Sequence, residues 1–129
     1  MKPAMMMTEL KVKVNALNQL IIAGDTIKAI ETFYSDGIEM QETEDTPRKG
    51  KTVCIATEKD NLQKVKSLKS NLLNQAIDEE KNIVFSEWNY LITYKDDSKF
   101  MLTEVSVQHW INGLIAKEKF YYKSFRKVD

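Results

Sequence analysis

The chain has one cysteine, one histidine, two prolines and four glycines among 129 residues. Each scarcity excludes something. A single cysteine, Cys54, rules out an internal disulfide framework and suits a reducing cytoplasm. One histidine and one cysteine cannot assemble a typical zinc set, so no metal is expected. The glycines do not cluster into a phosphate-cradling loop, and nothing else points to a cofactor. No apolar run approaches the ~18 residues of a spanning helix, and the opening "MKPAMMM" has no long apolar segment of the kind a secretory signal needs. Charge of either sign is not in excess either. Nineteen Lys and Arg match nineteen Asp and Glu, so no net field favours nucleic acid or an anionic membrane. The lysine-rich run "KDNLQKVKSLK" contains no aromatic residue on which a base could stack, and reads as a solvated face.

What remains is 43% apolar and 29% charged, the balance of a globular domain. One domain over residues 1–129 is expected, with 1–7 as a flexible tail. Thr8 can cap a helix whose apolar residues Leu10, Val14, Leu17 and Ile21 recur every three or four positions. Gly24 suits its end, and the side chain of Asp25 can cap a second helix, "TIKAIETFY", closed by "SDG". A short strand, "IEMQE", follows Gly37, then a polar loop, "TEDTPRKG". A third helix is expected from about Lys51 to Leu62, although its β-branched residues lower helix propensity.

Beyond Val65 the chain turns to β character. "NIVFSEWNYLITY", "FMLTEVSVQHW" and "LIAKEKFYYKSF" are rich in β-branched and aromatic residues, and "KSLKSNLLNQAID" is a weaker strand. Asn112-Gly113 marks a hairpin. The order is α-α-β-α-β-β-β-β, an α+β domain with helices on one face of an antiparallel sheet.

Alternation sorts the strand residues by face. Trp88 and Tyr90 belong to an even-numbered set that reads as the covered face, and His109 falls opposite it. Parity alone does not choose for Glu104, Ser106 and Gln108. If the even faces converge, Trp88, Tyr90, Phe120 and Tyr122 line a cavity that also holds Glu104, Gln108 and Glu118. A one-residue bulge at the Asn112-Gly113 turn would instead flip the last strand and carry Glu118 outward. "FYSDGIEMQET" raises a separate question: Glu42 is either a base aimed into a pocket or a rim carboxylate.

"AGDTIKAIETFYSDGIEM", "RKGK" opening a helix, and "WINGLIAKEKFYY" together resemble the SnoaL-like branch of the nuclear-transport-factor-2-like superfamily, over roughly residues 10 to 125. The resemblance implies a cone-shaped, cystatin-like fold in which a curved antiparallel sheet wraps a long N-terminal helix and encloses a pocket. It also implies homodimers through the outer sheet face. It places Glu42 where steroid isomerases keep a catalytic carboxylate. It puts Leu17 near their oxyanion-hole tyrosine and Ser106 near their protonated aspartate, so that hole is absent. The function expected is therefore binding of a small, mainly apolar organic molecule, with Trp88, Tyr90, Glu104, Ser106, Gln108, Glu118, Phe120 and Tyr122 as its contacts. The alternatives are a cofactor-free isomerase, cyclase or dehydratase with Glu42 as general base, and a protein-interaction module using the outer sheet face, where Val105, Val107 and Tyr121 lie.

Overall fold

A computed structural model describes residues 7–129; the tail expected over 1–7 falls, apart from Met7, outside them. Helix α1 spans Glu9–Ile22. The Thr8 side chain accepts from the Lys11 amide at 3.2 Å and so satisfies a donor that the first helical turn leaves unpaired. Gly24, at φ +82°, closes the helix in the left-handed conformation that glycine adopts without strain. The expected stripe is buried: Val14 and Leu17 reach the core and Leu10 and Ile21 pack beside them.

Helix α2, Thr26–Phe33, begins at Asp25 without the side-chain cap expected of it, since only the Asp25 carbonyl bonds into the helix. The chain extends at once into strand β1, Tyr34–Glu42, four residues before the expected start at Ile38. The polar loop contains a two-residue strand, β2, Arg48–Lys49, paired antiparallel with β1. Helix α3 runs Lys51–Gln63, followed by β3, Val65–Asp78; β4, Ile83–Tyr94; β5, Lys99–Ile111; β6, Leu114–Tyr121; and β7, Arg126–Val128.

The strands form one curled, unclosed sheet in the order β2-β1-β6-β5-β4-β3, with β7 on β5. The expected element order holds, with β2 and β7 added. One pairing departs from the antiparallel expectation: β1 runs parallel to β6. It can do so because α3 and three long strands intervene, which supplies the crossover that parallel neighbours need. Two irregularities in the β3–β4 register interrupt the longest strand, and bulges of this kind increase strand twist and bend. Leu17, Ile38 and Ile115 are fully enclosed where the helices meet the sheet, each contributing roughly 1.5–3 kcal/mol of burial.

Candidate functional site

Between α2, α3 and the inner faces of β1, β4, β5 and β6 lies a cavity of about 410 Å³. Glu42, Trp88, Tyr90, Glu104, Ser106, Gln108, Glu118, Phe120 and Tyr122 all line it. The even-numbered residues of β4 and β5 point the same way because the two strands pair without a break, Ser86 opposite Ser106 and Trp88 opposite Glu104. Trp88 and Tyr90 stack with ring centres 6.0 Å apart and planes 12° from parallel, forming one continuous aromatic wall.

Strand β6 reaches that face by a different route. Asn112 and Gly113 both have positive φ and make the tight hairpin turn that the sequence signals. Trp110 pairs with Ile115, but the next pair is His109 with Lys117, which leaves Ala116 as an extra residue. That bulge resets the alternation, so Ile115 and Glu118 both face inward. The expectation that a bulge here would expel Glu118 is reversed: the bulge brings it in.

Glu118 is the best-satisfied polar group in the cavity. One oxygen accepts from the Tyr34 hydroxyl. The other accepts from Ser106 Oγ at 2.9 Å and Gln108 Nε2 at 2.8 Å. Gln108 is fixed in that orientation because its own oxygen accepts from the Trp110 indole, 3.1 Å away. An indole nitrogen can only donate, so the amide nitrogen must turn toward Glu118. Burial raises the proton affinity of Glu118, while the hydrogen bonds from Tyr34, Gln108 and Ser106 restrain the rise.

Glu104, on the adjacent strand, is as deeply placed, at 7% exposed. It receives none of the close hydrogen bonds that hold Glu118. Burial first, then the charges of Glu118 and Glu42, push its carboxyl up to about 8, offset in part by the Tyr90 hydroxyl nearby. At neutral pH it is therefore a neutral acid. Burial and the adjoining Glu104 carboxyl raise Tyr90 in turn, which keeps its phenol protonated.

Glu42 marks the mouth. Its side chain keeps about a quarter of its exposure, forms an ion pair with Arg48 at 3.0 Å, and accepts from the Tyr122 hydroxyl at 3.3 Å. Burial, followed by the charge of Glu42, pushes that phenol up to about 12. Phe125 packs edge-on against Tyr122 and lines the same end.

Several lining residues are not evident from the sequence pattern. Tyr34 reads as the last residue of a helix face, Arg48 as part of a loop and Asn61 as part of a solvated run, while Glu58 carries no signal of its own. The only signal for Tyr34 is that Tyr34-Ser35-Asp36 lies within the stretch that carries the family resemblance. Leu17 is enclosed in the core and offers no donor, so a phenol reaches the buried carboxylate from Tyr34 instead. His109 is exposed on the opposite face, and Cys54 is a buried free thiol whose proton affinity burial raises. No group of three or more His, Cys, Asp or Glu among the described residues converges as a metal set. No helix among them is long and apolar enough to cross a membrane.

Solved structures share this architecture across most of the chain. A protein described as a SnoaL-like polyketide cyclase from Mesorhizobium loti superposes with a TM-score of 0.73 at 20% identity, covering 90% of this chain and all of its own. The fold is that of the SnoaL-like and nuclear-transport-factor-2-like proteins. A nuclear-transport-factor-2-like protein of unknown function from Burkholderia pseudomallei gives 0.77 at 10% identity, over 91% and 92% of the two chains. TerC, co-crystallised with polyporic acid, gives 0.74 at 10% identity, over 90% and 92%. No family model and no curated protein matches the chain. At these identities the likeness is one of fold, and function must be argued from the cavity.

Proposed function

We propose that this chain binds a small, mainly apolar organic molecule in the cavity, with the stacked wall of Trp88 and Tyr90 against its body and Glu104 against its one polar end. A single observation carries the reading. Glu104 is buried against the cavity with only the Tyr90 hydroxyl beside it, against three donors on Glu118, and a buried carboxyl so sparsely satisfied costs stability that a ligand can recover. The volume lies within the ordinary range of small-molecule sites, and the co-crystallisation of TerC with an organic acid is consistent with it. The test is thermal unfolding against steroids, polyketide fragments and small ketones. A ligand at ~100 times its dissociation constant adds about 2.7 kcal/mol, a rise of several degrees for a chain of this size. A flat panel with unchanged Trp88 emission contradicts the reading.

A second reading is turnover of a carbonyl compound by an isomerase, cyclase or dehydratase mechanism. Glu42 would be the base and Glu104 or Glu118 the acid. It is favoured by Glu104 being held protonated near neutrality, as a general acid should be. Against it, Arg48 and Tyr122 already occupy both oxygens of Glu42. Loss of turnover with retained binding in Glu42→Gln is the expected result on this reading; an unchanged rate removes Glu42 from it.

The outer sheet face carries the proposed homodimer contact. Phe85 pairs across to Val107, and Val105 to Tyr121, so four apolar residues adjoin on that face, three of them exposed. Light scattering should give twice the chain mass, and Val105→Asp should halve it. A monomeric wild type would favour a different protein partner. The buried free thiol of Cys54 fits a cytoplasmic setting.

A further inference from the structure

Resting on the cavity reading above, we propose that the ligand's polar end is a basic nitrogen, bound as an organic cation between the Glu104 carboxylate and the faces of Trp88 and Tyr90. The charge inventory points there. Acids and bases balance over the whole sequence, but not around the cavity. Glu42, Glu58, Glu104 and Glu118 line it against one cation, Arg48, which is already committed to Glu42 at 3.0 Å. An anionic ligand would meet excess negative charge with no free cation among the lining residues. A neutral carbonyl would be served by one protonated acid and would gain nothing from the others. A protonated amine gains from the Glu104 carboxylate that forms as it binds and from whichever lining carboxylates are not already paired, most at depth, where water screens least.

The aromatic wall adds a second, independent feature. The near-parallel rings of Trp88 and Tyr90 both line the space that Glu104 borders, and an ammonium is attracted over an aromatic ring most strongly when it is desolvated. A metal ion is a poorer occupant, because the acids do not converge into a coordinating set among the described residues. The cavity therefore suits a cation that is bulky and partly apolar, such as an arylalkylamine.

The amine arrives as an ammonium, Glu104 gives its proton to solvent, and the bound state is an ammonium–carboxylate pair. The groups that bear on this exchange are Tyr90 on β4, Glu118 on β6, Glu42 on β1, Arg48 on β2 and Glu58 on α3. Glu118 stays occupied by Tyr34, Ser106 and Gln108, so Glu104 is the carboxyl free to exchange its proton.

The experiment is titration calorimetry at pH 7 with three probes on one skeleton: 3-phenylpropylamine, 3-phenylpropanol and 3-phenylpropanoate, each in two buffers of different ionisation enthalpy. The amine should bind at least about tenfold tighter than the alcohol, the carboxylate weakest, and amine binding should release a proton. Affinity for the amine should rise with pH until Glu104 is ionised in the free protein and then level off. Glu104→Gln should abolish the release and the preference. If that variant does not fold, the presence or absence of buffer-dependent proton release in the wild type decides the question. Alcohol or ketone binding without an amine preference, or amine binding with no proton released, overturns this inference and leaves the cavity reading standing. Binding of none of the three, together with a flat ketone and steroid panel, overturns both.

Discussion

Glu118 and Glu104 face the same cavity from neighbouring strands, and both are almost removed from solvent. They are nevertheless held in opposite ways. Glu118 is enclosed by Tyr34, Ser106 and Gln108, with Trp110 orienting the amide behind it. Glu104 has a cavity where those donors would be. The difference separates a carboxyl that the fold uses from one that the fold leaves available. Burial alone does not identify a site; burial with too few donors does.

Leucine at each position should pull the two apart. Glu118→Leu strands the Tyr34 and Ser106 hydroxyls and the Gln108 amide, and should cost about 3–5 kcal/mol in urea unfolding at neutral pH. Glu104→Leu strands no such network and should be neutral or mildly stabilising. Equal losses at both sites would break the comparison.

The pH dependence should be smaller and specific to Glu104. Its folded carboxyl holds a proton up to about 8, against an ordinary value of 4.5. The folded state therefore binds more protons across that window, and stability falls as pH rises through it. The contribution is complete below the ordinary value and lost above the folded one. Wild type should lose about 2 kcal/mol relative to Glu104→Gln between roughly pH 6 and 8. Parallel profiles would show that Glu104 titrates as it does in water.

The mouth should matter least. Arg48→Met removes the ion pair to Glu42, whose two side chains each keep about a quarter of their exposure. The cost should be at most ~1 kcal/mol and should shrink in high salt. A larger loss would make the Glu42–Arg48 pair structural rather than a boundary of the cavity.

Much of this arrangement could be read from residue order. The alternation through Trp88 and Tyr90 separated the faces of β4, but both faces of β5 are mixed, and only the unbroken β4–β5 register of the structure puts Glu104, Ser106 and Gln108 on the same side. Strand β6 could not be read the same way. Its face depends on Ala116, an alanine with no local sign of being a bulge, and two opposite readings of Glu118 followed from that one residue. Tyr34 was hidden because α2 ends one residue before it and the chain extends without the break that "SDG" suggested. Arg48 was hidden in a loop whose two-residue strand exists only because β1 pairs with it. The parallel β1–β6 pairing joins segments distant in sequence, and no short-range pattern announces such a partner.

The most direct test is a titration of the glutamate side-chain carboxyl carbons by NMR, with Glu104 assigned by its absence in Glu104→Gln. A Glu104 midpoint near 8 is the predicted result, because burial and the neighbouring carboxylates outweigh the single Tyr90 hydroxyl beside it. A midpoint in the ordinary range near 4.5 would contradict it, and would mean that water or an unrecognised donor already satisfies the group.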